Sequence, residues 1–136
     1  MSTQTIAEFL EARIAEDEAI AQGATAGPWT TMTEETSDGD NIYYTVEHGT
    51  EQLCDMALTS RQGWHDAEHI ARHDPSRVLA ECAAKRAIIE LADHALATEI
   101  ERRDASALGA GLMHSDVICR LAAVYASHPD YRQEWA

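Results

Sequence analysis

Trp29-Thr30-Thr31-Met32-Thr33-Glu34-Glu35-Thr36-Ser37-Asp38-Gly39-Asp40-Asn41-Ile42-Tyr43-Tyr44-Thr45-Val46 is the stretch on which the fold turns. Its first five residues are a Thr-rich, β-prone run. Glu34 to Asp40 is a turn carrying an Asp-Gly pair, and Ile42 to Val46 gathers the β-branched and aromatic residues that suit a pleated strand. His48-Gly49-Thr50 turns the chain once more, into Gln52-Leu53-Cys54-Asp55-Met56-Ala57-Leu58. The reading is a three-stranded antiparallel meander over 28–58, with one face packed and one solvated.

Both flanks read as helix. Upstream, Thr5 followed three residues later by Glu8 is a capping box, and Ile6, Phe9, Leu10, Ile14 and Ile20 recur at helical spacing while Glu11, Glu16, Asp17 and Glu18 face out. Gly23 and the small residues before Pro28 stop this helix. Downstream, Gln62-Gly63 is a break and a short helix spans roughly 64–72. Asp74 followed by Pro75 is an N-cap with proline at the first helical position, which starts a long helix over 75–103. That helix presents Val78, Leu79, Cys82, Ile89, Leu96 and Ile100 inward, with Ile88 and Leu91 widening the stripe. Ser106 to Gly111 reads as a flexible connection, and a last amphipathic helix carries Met113, Val117, Ile118, Leu121, Val124 and Tyr125. The expected architecture is a single α+β domain over 1–136: a helix within 1–23, the meander at 28–58, and a helical half at 64–136. The partly seven-residue spacing of Cys82, Ile89 and Leu96 suits helix packing, and a homodimer through the 75–103 helix is one arrangement it allows.

Charge narrows the function classes. The net charge is −14, and only one of the ten basic residues is a lysine, Lys85. A nucleic-acid binder needs a basic face to displace counterions, so direct nucleic-acid binding is not expected, nor is docking on anionic lipid. Residues 1–58 carry twelve acids against one arginine, whereas 59–136 carry twelve against nine, so the first 58 residues are the electronegative half. Three widely spaced cysteines without a paired motif argue against a disulfide scaffold. No signal peptide or membrane-length apolar run is visible, so the chain reads as cytoplasmic and reduced.

Three groups of residues are candidates for chemistry. His65, His69 and His73 recur every four residues in Trp64-His65-Asp66-Ala67-Glu68-His69-Ile70-Ala71-Arg72-His73-Asp74-Pro75. Two imidazoles at that spacing share a helix face and suit zinc, but the break at Asp74-Pro75 takes His73 off it; His73, Asp66 or His128 would complete the ligand set. The alternative is that these histidines decorate a polar face. No nucleophile elbow, phosphate-cradling loop or metalloprotease motif is present, and no catalytic residue is assigned. The acids Glu34, Glu35, Asp38, Asp40, Glu47, Glu51 and Asp55 are unrelieved by any base and form the candidate partner-binding set, facing a protein with a basic surface. The same charges would suit a mimic of the DNA backbone that inhibits a DNA-processing protein. Trp29, after Gly27-Pro28, reads as a core anchor or, if exposed, a binding hot spot.

The run His69-Ile70-Ala71-Arg72-His73-Asp74-Pro75-Ser76-Arg77-Val78-Leu79, with Glu81 and Lys85-Arg86, resembles the signature of a family of small acidic proteins of unknown function from actinobacteria and their phages. Three further stretches are similar to that family: Ile6 to Ile14 with Glu16-Asp17-Glu18, the tripeptide Gly27-Pro28-Trp29, and Tyr125 to Arg132 with Trp135. The resemblance implies a context, an intracellular protein encoded by a phage or prophage, but no activity or cofactor. It marks Trp29, Asp74, Pro75, His128, Tyr131 and Trp135 as structural motif residues. It also suggests that the 69–77 junction meets the His128–Trp135 tail, with Arg72 or Arg77 opposite Asp130 or Glu134. The expected function is a non-enzymatic, intracellular protein-binding module, the alternatives being the DNA mimic and a histidine-based metal site.

Overall fold

The computed structural model describes residues 4–56, 60–102 and 106–136. They form α1 (Ile6–Gly23), β1 (Thr30–Glu35), β2 (Ile42–His48), β3 (Glu51–Asp55), α2 (Arg61–Arg72), α3 (Pro75–Arg102) and α4 (Ser106–Ala122), followed by 3-10 turns at Ala123–Tyr125 and Gln133–Trp135. The fold is α+β. Ala57 and Leu58 of the expected third strand and Arg103 of the expected long helix lie outside the described residues. The chain divides into two units, Met1–Asp17 with Glu81–Ala136, and Glu18–Ala80.

In the first unit, α1 begins as its capping box dictates. The Thr5 N–H donates to Glu8 Oε2 at 2.8 Å, and the Glu8 N–H donates back to Thr5 Oγ1 at 3.2 Å. Phe9, Leu10 and Ile14 are fully buried, and Cys82 and Ile89 on α3 and Ile118 and Ala122 on α4 are buried as well. Phe9 anchors the C-terminal tail: the rings of His128, Tyr131 and Trp135 lie 5.7, 5.8 and 5.2 Å from it.

In the second unit the sheet order is β1-β2-β3, antiparallel throughout. Gly39 and Gly49 take φ of +74° and +61° at the two turns, a region that side-chain-bearing residues seldom occupy. Val46 pairs with Thr31 on one side and Cys54 on the other, and the β2–β3 ladder shifts register just after it. α2 lies over this sheet through Ala67 and Ala71, whose small side chains admit a close approach to Val46. Trp29, Tyr44, Leu53, Cys54, Met56 and Ile70 close around that contact. Tyr44 meets Trp64 edge-on at 5.5 Å.

Several local expectations are corrected. Gln62-Gly63 is no break, because α2 starts at Arg61 and Gly63 is buried within it. Ser106 to Gly111 is the first part of α4 rather than a loop, as Ala107, Leu108 and Ala110 outweigh the two glycines. Ile20 is 73% exposed because the last turn of α1 buries the adjacent Ala21 instead. Ile88, Leu91 and Ile100 are exposed on α3, and Met113 is exposed on α4: the inward stripes are narrower than the apolar pattern suggests. Asp17 and Glu11 do not simply face solvent, since Asp17 accepts from Tyr125 and Glu11 pairs with Arg86.

Candidate functional site

The acidic set is assembled by the sheet and its turns. Register places Glu34, Glu47 and Asp55 on one face, since Glu34 pairs with Tyr43, Asp55 pairs with Thr45, and Tyr43, Thr45 and Glu47 alternate along β2. Asp38 and Asp40 occupy the β1–β2 turn, Glu51 opens β3 and Glu35 ends β1. Five of the seven are exposed and Glu34 and Glu47 are half-buried. Glu47 Oε1 accepts from the hydroxyl of the fully buried Thr45 at 3.0 Å. The Thr36 hydroxyl and then the Asp40 N–H hold the Asp38 carboxyl below its ordinary range, so it stays ionised in mild acid.

None of these seven carboxylates makes an ion pair among the described residues. Acids on the helices contrast with them. Glu16 pairs with Arg13 at 2.8 Å, Asp116 with Arg120 at 2.8 Å and Glu99 with Arg102 at 3.2 Å. Asp93 meets His114, and Glu11 meets Arg86. Several helix acids are thus neutralised by a helix base, while the sheet acids have no ion pair among the described residues.

The histidine ladder is exposed at all three positions. His69 and His73 lie with ring centroids 4.3 Å apart, and His73 Nδ1 donates to the His69 carbonyl at 2.8 Å, closing α2 with a side-chain cap. That bond commits one nitrogen of His73 and leaves Nε2 as its one ligand atom. Among the described residues, no group of three or more His, Cys, Asp or Glu side chains is placed to hold a metal ion. Cys54, Cys82 and Cys119 form no disulfide.

The junction at Asp74 ties together two distant segments of the second unit. Its buried carboxylate accepts from the Arg77 N–H at 2.9 Å, capping α3, and from the Trp29 N–H at 3.2 Å. The Trp29 indole N–H donates to the Thr25 carbonyl at 2.8 Å, so Trp29 is held as an anchor. A Cβ at Gly27 would fall on the Asp74 carboxylate and 2.6 Å from Ser76 Oγ, so only glycine fits beside the cap. Gly27-Pro28-Trp29 and Asp74-Pro75 are therefore one structural device. The tail forms another: Arg13 Nη1 lies 2.9 Å from His128 Nδ1, which also accepts the Asp130 N–H at 3.1 Å. Asp130 lies against Arg13 and Glu134 against Arg132.

Three features escaped sequence reasoning. Lys85 Nζ donates to Tyr125 Oη at 3.0 Å, and that hydroxyl donates to Asp17 at 2.7 Å; burial, then the Asp17 bond, push the phenol well above its ordinary value. An apolar groove of about 510 Å³ runs between α3 and α4, lined chiefly by Ile88, Leu91, Ala92, Ala95, Met113 and Val117. A shallower cleft of about 330 Å³ lies at the start of β1, among Trp29, Thr30, Thr31, Trp64, Glu68 and Arg72. No spacing rule finds these, because each joins residues from elements that only tertiary structure brings together. Among the described residues no helix is long and apolar enough to cross a membrane.

No curated protein and no solved structure matches the chain. Residues 3–136 match DUF6221, a family of unknown function, and the chain belongs to that family.

Proposed function

We propose that the chain is a non-enzymatic protein-binding module that meets a basic surface of its partner through the acidic sheet. The observation that carries this reading is the contrast in pairing: Glu11, Glu16, Glu99 and Asp116 on the helices face arginines, while Glu34, Glu35, Asp38, Asp40, Glu47, Glu51 and Asp55 have no ion pair among the described residues. Unpaired like charges gathered on one small sheet destabilise the free protein slightly and are relieved when a cationic surface docks. The setting we propose is intracellular, in an actinobacterium or a cell infected by one of its phages, in keeping with the resemblance of four segments to proteins of that origin.

Affinity capture from an actinobacterial lysate tests this with the wild-type chain and a variant carrying Glu34→Gln, Glu35→Gln, Asp38→Asn and Asp40→Asn. A basic protein retained by the wild type at low salt and released by about 0.5 M salt, where screening is nearly complete, is the expected result. Equal retention by the neutralised variant would end the reading. Release of that protein by duplex DNA would identify the module as a DNA mimic.

A further inference from the structure

We infer that the open edge of β1 is a docking strand, which takes an extended segment of the partner with an apolar residue at one end and basic residues at the other. This rests on the reading that the sheet meets a basic protein, and adds the mode and chemistry of the contact. The sheet order leaves two edges, and they are guarded differently. β3 is five residues long and its ladder with β2 is broken by a register shift at Val46/Glu47, features that discourage a further strand. β1 is six residues in unbroken register with β2 from Thr30–Glu47 to Glu35–Ile42. It holds no proline, no lysine and no bulge, and four of its six residues are exposed. Its backbone amides and carbonyls on the side away from β2 pair with no strand among the described residues, the template used in strand addition.

The two ends of β1 specify different side chains. At its start lies the cleft among Trp29, Thr30, Thr31 and Trp64, with Glu68 and Arg72 also in its lining, whose two indoles suit an aliphatic or aromatic side chain from a docked strand. At its end come Glu34 and Glu35, then Asp38 and Asp40 in the turn, which suit lysine or arginine. A second copy of this chain is disfavoured as the occupant. Pairing two β1 edges would bring together two sets of unneutralised acids on chains of net charge −14.

The test uses the full chain, isotopically labelled, and two capped synthetic hexapeptides: Leu-Thr-Val-Lys-Val-Lys and its reverse sequence, which covers both strand directions. One of them should bind, slow hydrogen exchange of amides within 30–35, and weaken about tenfold on the double change Glu34→Lys, Glu35→Lys, which removes the charge match. A peptide of the same sequence with alternate amides N-methylated keeps its charge but cannot extend a ladder, and should fail to bind. Equal binding by the methylated peptide, or no protection of 30–35, overturns the strand-docking inference while leaving the charge-based reading intact. Dimerisation through 30–35 in sedimentation would overturn it in favour of a second copy. Loss of salt-sensitive partner capture in the four-site neutralised variant speaks to the broader reading alone, so the two can fail separately.

Discussion

Asp74 shows how one side chain serves two segments that are far apart in sequence. Its two oxygens accept from Arg77 and Trp29, so removing it uncaps α3 and orphans the Trp29 N–H in one step. Asp74→Ala should lower stability by about 2–3 kcal/mol, a lost cap plus a buried unpaired donor, while Asp74→Asn keeps an acceptor and costs less. Gly27→Ala is expected to cost a comparable 1–3 kcal/mol, roughly the penalty for overpacking, because its Cβ has nowhere to go beside Ser76. Urea unfolding of the three variants checks both. Tyr125 gives a prediction with a sign. Its raised pKa means that folding favours the neutral phenol, so its contribution is whole below about pH 10 and fades as pH climbs toward the folded value. Tyr125→Phe should therefore be less stable than wild type at pH 7, by about 1–2 kcal/mol for the lost hydrogen bonds, and the gap should narrow in strong alkali. Tyrosinate absorbance of the native protein at pH ~11 should not change on this substitution, because Tyr125 does not ionise there. A gap that widens with pH would refute the assignment.

At the scale of elements, α4 separates the two readings of Ser106–Gly111. Gly109 and Gly111 sit inside the helix, where a Cβ meets nothing within 4 Å at Gly109 and only Leu96 Cδ1, at 3.8 Å, at Gly111. Gly109→Ala and Gly111→Ala should each stabilise the chain, by roughly 0.5–1 kcal/mol, since alanine removes the entropy cost of glycine without a clash. In a flexible connection neither change would register in thermal unfolding. The elements that local chemistry decides were legible in the sequence: Thr5 and Glu8 begin α1, Asp74-Pro75 begins α3, and Ile42 to Val46 form the central strand. Local chemistry misled where composition had to be weighed against a single residue type, as at Gly63, Gly109 and Gly111. The burial of Ala21 in place of Ile20, and the exposure of Leu91 and Met113, were not legible. Which flank of an apolar stripe is covered depends on the neighbour, and periodicity carries no record of it. The acids of the candidate site were readable as a cluster in sequence, but that they make no ion pair among the described residues was not, because an arginine distant in sequence can neutralise an acid, as Arg86 does Glu11.

Over the whole molecule the sign of the charge ties stability to binding. With a net −14 and seven sheet acids without ion pairs among the described residues, the free protein works against its own field. Added salt screens that repulsion, and the thermal midpoint should rise between about 10 mM and 150 mM ionic strength as the Debye length falls from ~30 to ~8 Å. The variant with Glu34→Gln, Glu35→Gln, Asp38→Asn and Asp40→Asn should start from a higher midpoint at low salt and gain less from added salt. Asp38→Asn alone works in the opposite direction, since Thr36 and the Asp40 N–H favour the ionised carboxylate and its stabilisation is present above the unfolded pKa and lost as pH falls through the lowered one. The two effects separate by pH, because the field of the other acids also weakens in acid while the turn loses its anchor. A neutralised variant more stable than wild type at pH 7 and unable to hold a basic partner would mark these acids as retained against the interest of the fold. A variant less stable at low salt, with binding unchanged, would instead assign them to the structure of the sheet.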